Sequence, residues 1–451
     1  MDKILVLGAG PSGLSYSLFC PDTVHIIEQN NVPGGHASSY EISGFTFDYG
    51  PHILFSRDKE ILQFIVDSLG ENVELCKRNN KISFKNKLIK YPFENDLFSL
   101  PLLDNFECLR DFIFNKYKFK YKYPKNMKEW FLHTFGKSIC IKYLFPYNEK
   151  VWNIKCSELS MTWSDRIPNP PMLDVIKSSF GINTDGYKHQ LYYHYPKEYG
   201  YQAISNGWSK YSDISYDETV LEINKNNNYL QVITSKKTYD VNELVSSISL
   251  TKMIDICKSW IDSDIIKLIN KLIINPMYII SLGIQGEDAD KYTAIYFPES
   301  DFLVNRISYP STFSSLNAPA GHHSIQAEIT FAKDSKIGDM GDDQILDHVI
   351  TGLTKRQLIK GKVIVKDIKR SKESYIVYNE GYEVIAEKIR QYFLDNGITL
   401  IGRFGYFEYV NVDMALDRVV NIISKKYDQN RKYLFNLALD KISKSNNYDN
   451  S

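Results

Sequence analysis

The chain has 451 residues, a length that predicts about three domains or subdomains at roughly 150 residues each. Lys and Arg together number 54, as do Asp and Glu, and this balance argues against a nucleic-acid-binding protein and against a polybasic membrane anchor. Hydrophobic residues make up 43% and charged residues 24%, which is typical of a globular protein rather than a disordered chain.

The cysteines and the N-terminus indicate the cellular compartment. The six cysteines are scattered without a C-x-x-C pair, so we expect reduced thiols, no disulfide framework and no metal site. The N-terminal sequence MDKILVLGAG has too short an apolar run for a signal peptide, and no run approaches the roughly 18 apolar residues of a transmembrane helix. We therefore expect a cytoplasmic protein without a membrane span.

The first half of the chain begins with an alternation of strand and helix. Residues 3–28 predict a buried strand, a Gly-rich turn, a helix and a second strand, which is typical of a parallel sheet. Residues 59–70 predict an amphipathic helix that ends at Gly70, and residues 81–90 predict a hairpin. From about residue 95 to 190 the pattern is helical and rich in aromatic residues.

The second half of the chain is richer in strands. Residues 217–249 and 278–331 predict alternating strands, and the sequence NKNNN marks a turn in the first of these segments. Residues 340–396 predict two helices with connecting strands. The segment from ITLIGRFG onwards predicts strand, turn and helix, and SKSNNYDNS predicts a frayed tail.

The sequence GAGPSG between the first strand and helix carries a dinucleotide-binding pattern. Gly8, Gly10 and Gly13 have the G-x-G-x-x-G spacing, which allows a tight turn, close approach to a pyrophosphate and close packing of helix on strand. Glu28 ends the second strand 20 residues after Gly8, where a carboxylate accepts hydrogen bonds from ribose hydroxyls. The alternative is a purely structural loop, which this combination disfavours.

Gly34 and Gly35 bear on the choice between NAD and FAD. They follow Glu28 in the pattern E-x5-G-G, which resembles the flavin-binding signature of the amine oxidase-like flavoproteins. A plain turn is the alternative interpretation. The resemblance favours FAD.

Several later segments, in order, resemble one group of flavoproteins. They are GFTFDYGPHILFSRD, LIKYPFENDLFSLP, FPYNEKVW, IYFPESDFLVNRISYP and GRFGYFEYVNVDMAL. Together they resemble the UDP-galactopyranose mutases and the related protoporphyrinogen oxidase-like proteins, from about residue 3 to residue 423. The first segment would place His52 beside the flavin ring.

The resemblance also implies roles for individual residues. The implied substrate-binding residues are Tyr91, Tyr143, Asn148, Trp152, His194, Tyr296, Arg306, Tyr375 and Tyr409. The implied cofactor-binding residues are Gly8, Gly10, Gly13, Glu28, Gly34, Gly35, His52, Val220, Arg403, Asn411, Asp413 and Met414. His52, Arg306 and Arg403 are the implied catalytic residues, and Arg306 would hold the diphosphate because a guanidinium fork suits phosphate oxygens.

The sequence departs from the mutase pattern at four positions. His194 replaces a second diphosphate-binding arginine, so the grip on the diphosphate is expected to be weaker or differently shared, with Lys197 nearby. Pro51 and Tyr199 stand where the mutases have glycine, and Glu94 stands where the motif often has glutamine. These changes leave the identity of the sugar and of the nucleotide open, but they do not affect the expected flavin binding.

The implied fold is α/β, with a discontinuous Rossmann-type FAD-binding domain, an inserted helical subdomain and an antiparallel β-sheet subdomain. The expected boundaries are 1–90, 200–260 and 376–430 for the FAD-binding domain, 91–199 for the helical and 261–375 for the β-sheet substrate subdomain, and 431–451 for a C-terminal tail.

The implied activity is a redox-neutral isomerisation in polysaccharide biosynthesis, between the pyranose and furanose forms of a nucleoside diphosphate sugar, here a UDP-hexose. Reduced FAD is the implied active form, with its N5 as the nucleophile toward the sugar. An external reductant such as NAD(P)H or a reductase would then be needed, and the oligomeric state stays open. One alternative is an oxidase or desaturase of the protoporphyrinogen or amine oxidase type, and another is a non-catalytic flavin-binding protein.

Overall fold

A computed structural model describes residues 4–118, 123–184, 191–288 and 290–446. Within these ranges the strands are β1 (Ile4–Leu7), β2 (Val24–Ile27), β3 (Ser39–Ile42), β4 (Phe45–Asp48), β5 (Glu74–Lys77), β6 (Asn80–Phe84), β7 (Lys87–Lys90), β8 (Tyr192–Tyr195), β9 (Asp213–Ser215), β10 (Val220–Lys225), β11 (Leu230–Thr234), β12 (Thr238–Val241), β13 (Leu244–Ser246), β14 (Ile273–Gln285), β15 (Ala294–Tyr296), β16 (Arg306–Ser308), β17 (His322–Thr330), β18 (Lys362–Val377) and β19 (Ile398–Leu400).

The helices of the same ranges are α1 (Pro11–Phe19), α2 (Lys59–Leu69), α3 (Leu102–Lys118), α4 (Met127–Phe135), α5 (Lys137–Ile139), α6 (Phe145–Trp152), α7 (Met172–Ser179), α8 (Ala203–Ser209), α9 (Leu250–Ile256), α10 (Ser263–Ile269), α11 (Pro310–Phe313), α12 (Asp342–Lys355), α13 (Tyr382–Asp395), α14 (Gly402–Gly405), α15 (Val412–Tyr427) and α16 (Arg431–Asn446). No helix in the described ranges has both the length and the hydropathy needed to cross a membrane.

A parallel sheet of five strands, in the order β19-β13-β1-β2-β9, forms the first layer of the fold. All four residues of β1 are buried, because Ile4 and Val6 point to one face of the sheet and Leu5 and Leu7 to the other. On the first face they join a core with α1, α15 and α16, and on the second a core with the β10-β11-β12 sheet and α13. This arrangement confirms the predicted α/β class with a Rossmann-type unit.

A mixed sheet of seven strands, in the order β18-β14-β17-β16-β15-β6-β7, forms the second unit. Neighbouring strands are antiparallel except for β6 and β15, which run parallel. Met277 and Ile279 of β14 pack against the helices α3 to α7 on one face, and Ile280 and Leu282 pack toward α12 on the other. The predicted helical region therefore covers one face of the strand-rich region.

Two predicted domain boundaries differ from this architecture. The hairpin predicted over residues 81–90 is confirmed as β6 and β7, but it extends the mixed sheet rather than the cofactor domain, because Ile82 pairs with Tyr296 of β15. Helix α10, assigned above to the β-sheet subdomain, packs instead against α13 in the core of the parallel sheet. Pairing between residues more than 200 positions apart is not encoded in a local pattern.

The predicted C-terminal tail is also wrong for residues 431–446. This segment forms α16, and Leu434, Phe435 and Ala438 on one side of it are buried in the core beside α1. Arg431 at its start forms ion pairs with Asp58 and Asp417. Three apolar side chains at helical spacing therefore anchor this segment to the core. Its polar composition, taken alone, had indicated a tail.

The role of α16 gives a stability prediction. Leu434 is 0% exposed, so Leu434→Ala should lower the free energy of unfolding by about 2–5 kcal/mol through lost burial and a cavity. Leu439, 41% exposed on the same helix, provides the control, and Leu439→Ala should change stability by no more than about 0.5 kcal/mol. Urea denaturation measures both, and equal midpoints for the two variants would mean that α16 does not stabilise the core.

Candidate functional site

Glycines shape the turn between β1 and α1. Gly8 has a φ of +98°, which glycine adopts without steric cost, and its N–H donates to the carbonyl oxygen of Ile27 at 2.8 Å. A Cβ on Gly13 would lie 2.0 Å from the carbonyl oxygen of Gly8, so α1 packs directly on the turn. The free N–H groups at the start of α1 therefore lie at the carboxyl end of the parallel sheet.

The second glycine pair lies against this turn. The N–H of Gly34 donates to the carbonyl oxygen of Ala9 at 2.9 Å, and Gly34 has a φ of +119°. A Cβ on Gly35 would lie 3.6 Å from Cα of Gly10, and a Cβ on Gly10 would lie 3.9 Å from the carbonyl oxygen of Gly34. Two stretches of bare backbone thus meet at the N-terminus of α1, which is the arrangement that a pyrophosphate needs.

Glu28 is buried directly after β2 and is fixed by backbone donors. Its carboxylate accepts hydrogen bonds from the N–H of Ala9 at 2.8 Å and from the N–H of Asn30 at 2.9 Å. Val220, at the start of β10, lies in the buried cluster that also contains Leu7 and Ile27, the last residues of β1 and β2. Both residues therefore lie at the same end of the parallel sheet as the glycines.

His52 lies on the loop after β4. Its ring stacks on the ring of Tyr201 with 5.1 Å between centroids, and its Nδ1 is buried without a hydrogen-bond partner among the described residues. Burial, followed by the charge of Arg403, lowers the pKa of His52 to about 3. The side chain is nevertheless only half-buried by surface area, as expected for a group that lines an internal cleft. His52 is therefore neutral at physiological pH.

Arg403 connects the glycine turn to the predicted substrate residues. Its guanidinium carbon lies 3.9 Å from the ring centroid of Tyr409, and its Nη2 donates to the carbonyl oxygen of Ser374 at 2.8 Å. Its Nε is buried and unpaired within the described chain. The neighbouring Phe404 ring lies 4.5 Å from the ring of His36, which directly follows Gly35. Burial, and then Arg403, lowers the pKa of His36 as well.

The start of α15 contributes the last three predicted cofactor residues. Asn411 occupies the N-cap position, and Asp413 in the first turn is buried. Burial raises the pKa of Asp413. The sulfur of Met414 accepts from Nη2 of Arg166 at 3.4 Å, and Arg166 also donates to the carbonyl oxygen of Tyr409. These contacts tie the start of α15 to the Tyr409 segment.

A row of side chains crosses the mixed sheet at the predicted diphosphate site. Tyr296 on β15 pairs with Arg306 on β16, which in turn pairs with Glu328 on β17. Arg306 donates through Nε to the carboxylate of Glu328, which is 3% exposed, while the Arg306 side chain is 26% exposed. A Cβ on Gly50 would lie 3.8 Å from that carboxylate, so the His52 loop crosses the sheet at this row. Glu328 fixes the orientation of the Arg306 guanidinium through its Nε.

Aromatic rings extend from Tyr296 along the helical region. The ring of Tyr296 lies 5.1 Å from that of Tyr91 and 5.5 Å from that of Tyr147, which is 5.5 Å from Tyr143. Tyr143 and Tyr147 are one turn apart, across a π-helical turn over Cys140–Leu144 that immediately precedes α6. Asn148 is buried on α6, and its amide donates back to the carbonyl oxygen of Leu144 at 2.8 Å. The predicted nucleotide side is thus mostly an aromatic wall.

A second aromatic group joins this wall to Arg403. The Trp152 ring lies 5.7 Å from that of Tyr375 and 5.5 Å from that of Tyr409, and Tyr375 and Tyr409 are 5.5 Å apart. Burial raises the pKa of Tyr375, so its hydroxyl stays protonated at neutral pH. The structure therefore brings Arg403, Tyr409, Tyr375 and Trp152 into one continuous set.

The structure describes all four positions that depart from the mutase pattern. The main chain of His194 bridges to Leu54, with His194 N–H donating at 2.7 Å, and burial lowers the pKa of His194. Tyr199 has a φ of +68° and Gly200 a φ of +61°, which explains why glycine suits both positions. Glu94 is buried in a short turn, and Pro51 follows Gly50, whose φ is +92°.

Sequence reasoning missed four residues that support the site. They are Tyr147, Lys150, Tyr201 and Glu328. Glu328 had a signal in the sequence, because it is the one charged residue in the strand segment IQAEITF, where charge is rare if the strand is buried. Tyr147 also had a signal in the sequence, because it follows Tyr143 by four residues and so lies on the same side of the helical segment. Tyr201 and Lys150 act through contacts that only the tertiary structure creates.

Comparison with known proteins yields one family model and several solved structures. The model described as an NAD(P)-binding Rossmann-like domain matches residues 6–68. A crystal structure of reduced UDP-galactopyranose mutase is similar to this chain with a TM-score of 0.87 at 22% identity, covering 95% of this chain and 94% of that one.

The chain has the fold of UDP-galactopyranose mutase. A putative protoporphyrinogen oxidase from Exiguobacterium sp. 255-15 is similar with a TM-score of 0.75 and 14% identity, covering 95% of this chain and 99% of that one. A redesigned putrescine oxidase is similar with a TM-score of 0.67 and 12% identity, again covering 95% and 99%. The predicted resemblance to this group is thus confirmed at the level of fold.

The glycine geometry gives a prediction that separates folding from cofactor binding. Gly10 has an extended φ of −73° and open space, so Gly10→Val should fold while its branched side chain fills the bare backbone surface. We expect flavin affinity to fall by about 100-fold or more, equivalent to about 2.8 kcal/mol. Flavin absorbance per mole of purified protein measures this loss.

Two other glycines are the controls. Gly207 has its nearest neighbouring atom at 3.5 Å and lies on α8, so Gly207→Val should keep its flavin. Gly13→Ala places a methyl group 2.0 Å from Gly8 and should instead lower the yield of folded protein. A fully yellow Gly10→Val protein would contradict the assignment of the turn.

Proposed function

We propose that the protein is an FAD-dependent isomerase that interconverts the pyranose and furanose forms of a UDP-linked hexose. The observation that carries this proposal is the row Tyr296, Arg306 and Glu328, which joins a cationic fork to an aromatic wall and lies under the His52 loop. An anionic diphosphate and a flat base are the ligand groups that such a pair of surfaces fits.

The residues around the β1–α1 turn fit the phosphates and ribose of FAD. The backbone of Gly10 and Gly35 leaves room for the pyrophosphate, and the start of α1 offers N–H donors with a favourable dipole. Glu28 is positioned to accept hydrogen bonds from ribose hydroxyls. Reduced flavin, when bound, would supply the nucleophile for the anomeric carbon of the sugar.

Arg306 would hold the diphosphate that departs from and returns to the sugar. Because Glu328 occupies its Nε, the guanidinium is held in one orientation and its remaining N–H groups are free to face phosphate oxygens. The hydroxyls of Tyr375 and Tyr409 would donate to the same group. Tyr91, Tyr143, Tyr147 and Tyr296 would enclose the uracil, and Trp152 and Asn148 would line the same side.

His52 and Arg403 would act on the flavin side. A His52 ring that is neutral at physiological pH serves as a hydrogen-bonding and packing partner rather than as an acid. The permanent positive charge of Arg403 would favour a reduced, electron-rich ring, and Asn411, Asp413 and Met414 would complete that wall. An external reductant, such as NAD(P)H or a reductase, would be required once to prepare the enzyme.

We also propose a functional division of the chain. The FAD-binding part would comprise the parallel sheet with its two faces, including α10 and α16. Strands β6 and β7 would join the β-sheet substrate part, and residues 91–199 would form the helical substrate part. His194 would lie at the junction of these parts, which supports a substrate contact but leaves it a prediction.

An oxidase or desaturase is the second candidate, because a putative protoporphyrinogen oxidase and putrescine oxidase are similar in fold. The two candidates differ in electron balance. We predict activity on UDP-hexoses only after dithionite reduction of the flavin, with no consumption of reductant per product molecule. Chromatography of ring isomers with a parallel oxygen and reductant assay measures both, and stoichiometric consumption would favour the oxidase.

A binding experiment tests the substrate class. Arg306→Ala should weaken UDP binding by about 1.5–3 kcal/mol, or one to two decades in Kd, while the flavin spectrum stays unchanged. The matched control is Arg110→Ala, which removes the same charge from an exposed position on α3. Titration of UDP against flavin fluorescence measures the change. Wild-type affinity in Arg306→Ala would contradict the nucleotide-sugar proposal, and a colourless wild-type protein would contradict the flavin.

A further inference from the structure

Arg78, one residue beyond β5, has an unfilled guanidinium edge. Its guanidinium carbon lies over the ring of Phe55 at 4.7 Å from the centroid. Its Nε and Nη2 are both buried, and neither has a hydrogen-bond partner in the described residues. These two nitrogens point their N–H groups in parallel along one edge of the guanidinium, which is the edge that binds an oxyanion in a bidentate manner.

Leaving such donors buried and unpaired is unfavourable. A buried donor without an acceptor lowers stability, and more so when it carries charge, so native structures rarely retain one without a reason. Carbonyl oxygens could accept from these N–H groups, but an oxyanion accepts from both in a bidentate manner and also balances the charge. The vacant edge therefore points to an anionic ligand rather than to a structural contact.

Arg78 also lies beside the proposed substrate cleft. Asn80, two residues after Arg78, donates through its amide to the hydroxyl of Tyr296 at 3.2 Å, and its carbonyl oxygen accepts from the N–H of Tyr91 at 3.1 Å. The ring of Tyr91 is 5.1 Å from that of Tyr296, and Tyr296 pairs across the sheet with Arg306. Two guanidinium groups thus flank one pair of tyrosines.

The position of Arg78 further relates it to the arginine that is missing at residue 194. The N–H of Arg78 donates to the carbonyl oxygen of Leu191 at 2.8 Å, and this contact continues the pairing of β5 with β8. In that pairing Leu75 lies opposite His194. Arg78 is therefore on the strand that adjoins the departure from the mutase pattern.

We propose that Arg78 is the second cationic residue that binds the diphosphate of the nucleotide sugar, opposite Arg306. This inference rests on the proposed function. The side chain as a whole is half-buried, and a reorientation of its flexible stem toward Tyr91 would present the vacant edge to the diphosphate. Arg78 would thereby supply the positive charge that the mutase pattern has as an arginine at position 194, where this chain has His194.

Titration of the flavin-loaded protein with UDP and with uridine tests the assignment. Arg78→Gln should weaken UDP binding by about 10- to 100-fold, and Arg78→Lys should weaken it less, because a lysine keeps the charge but not the bidentate edge. Uridine lacks the diphosphate and should bind both variants like the wild type. Lys77→Gln is the matched control, since Lys77 is exposed on the same strand and loses the same charge.

The outcomes separate this inference from the proposed function. If the wild type and Arg78→Gln bind UDP equally while Arg306→Ala does not bind it, the proposed function stands and the role of Arg78 is overturned. Equal losses of UDP and uridine affinity in Arg78→Gln would also overturn it, because Arg78 would then only support the shape of the base site. A wild-type protein that binds no UDP would overturn both. Flavin content and melting temperature confirm that each variant is folded.

Discussion

The close contact between Gly13 and Gly8 is the constraint on which most of the molecule depends. A Cβ at residue 13 would lie only 2.0 Å from the carbonyl oxygen of Gly8. Any residue other than glycine at this position would therefore push α1 away from β1. The buried side of α1 then meets α8, α15 and α16, so the contact sets the packing of one whole face of the parallel sheet. It also aims the free N–H groups of α1 at the bare backbone of Gly10 and Gly35.

A second constraint is the electrostatics of the cleft. Arg306 is compensated by Glu328 on the adjacent strand, whereas Arg403 keeps a buried Nε without a partner among the described residues. A buried cationic donor without an acceptor is unfavourable, so the Nε of Arg403 is a position that an acceptor would stabilise. Burial also holds His52 neutral, which prevents additional repulsion between like charges.

Local pattern was sufficient for the parts of the fold that local physics determines. The turn glycines, the helix capped by Asp58 and ended at Gly70, and the β6-β7 hairpin all follow from short-range chemistry. The strand that pairs with this hairpin could not be predicted from the local sequence, because β15 is more than 200 residues away and many strands have a similar apolar face. Helix α16 was missed for a related reason, since its short apolar side is meaningful only when α1 is present to cover it.

The residues of the candidate site also fall into two groups, those that lie in a recognisable motif and those that contact a motif residue from elsewhere in the chain. Motifs singled out Arg306, Tyr296 and His52 as candidates, because each lies in a distinctive segment. They did not locate Glu328 or Tyr201, because these residues act on a motif residue from another part of the chain.

Lys150 illustrates how residues outside the cleft determine its geometry. Its side-chain nitrogen lies 2.6 to 2.9 Å from the carbonyl oxygens of Phe297, Glu299, Phe302 and Val304, which share its three N–H donors, and burial lowers the pKa of Lys150 to about 7. These four oxygens belong to the loop that connects Tyr296 to Arg306, so one side chain on α6 fixes the loop between two proposed ligand-binding side chains. The same helix carries Asn148 and Trp152. Lys150 therefore ties α6, which carries one side of the aromatic wall, directly to the loop that leads to Arg306.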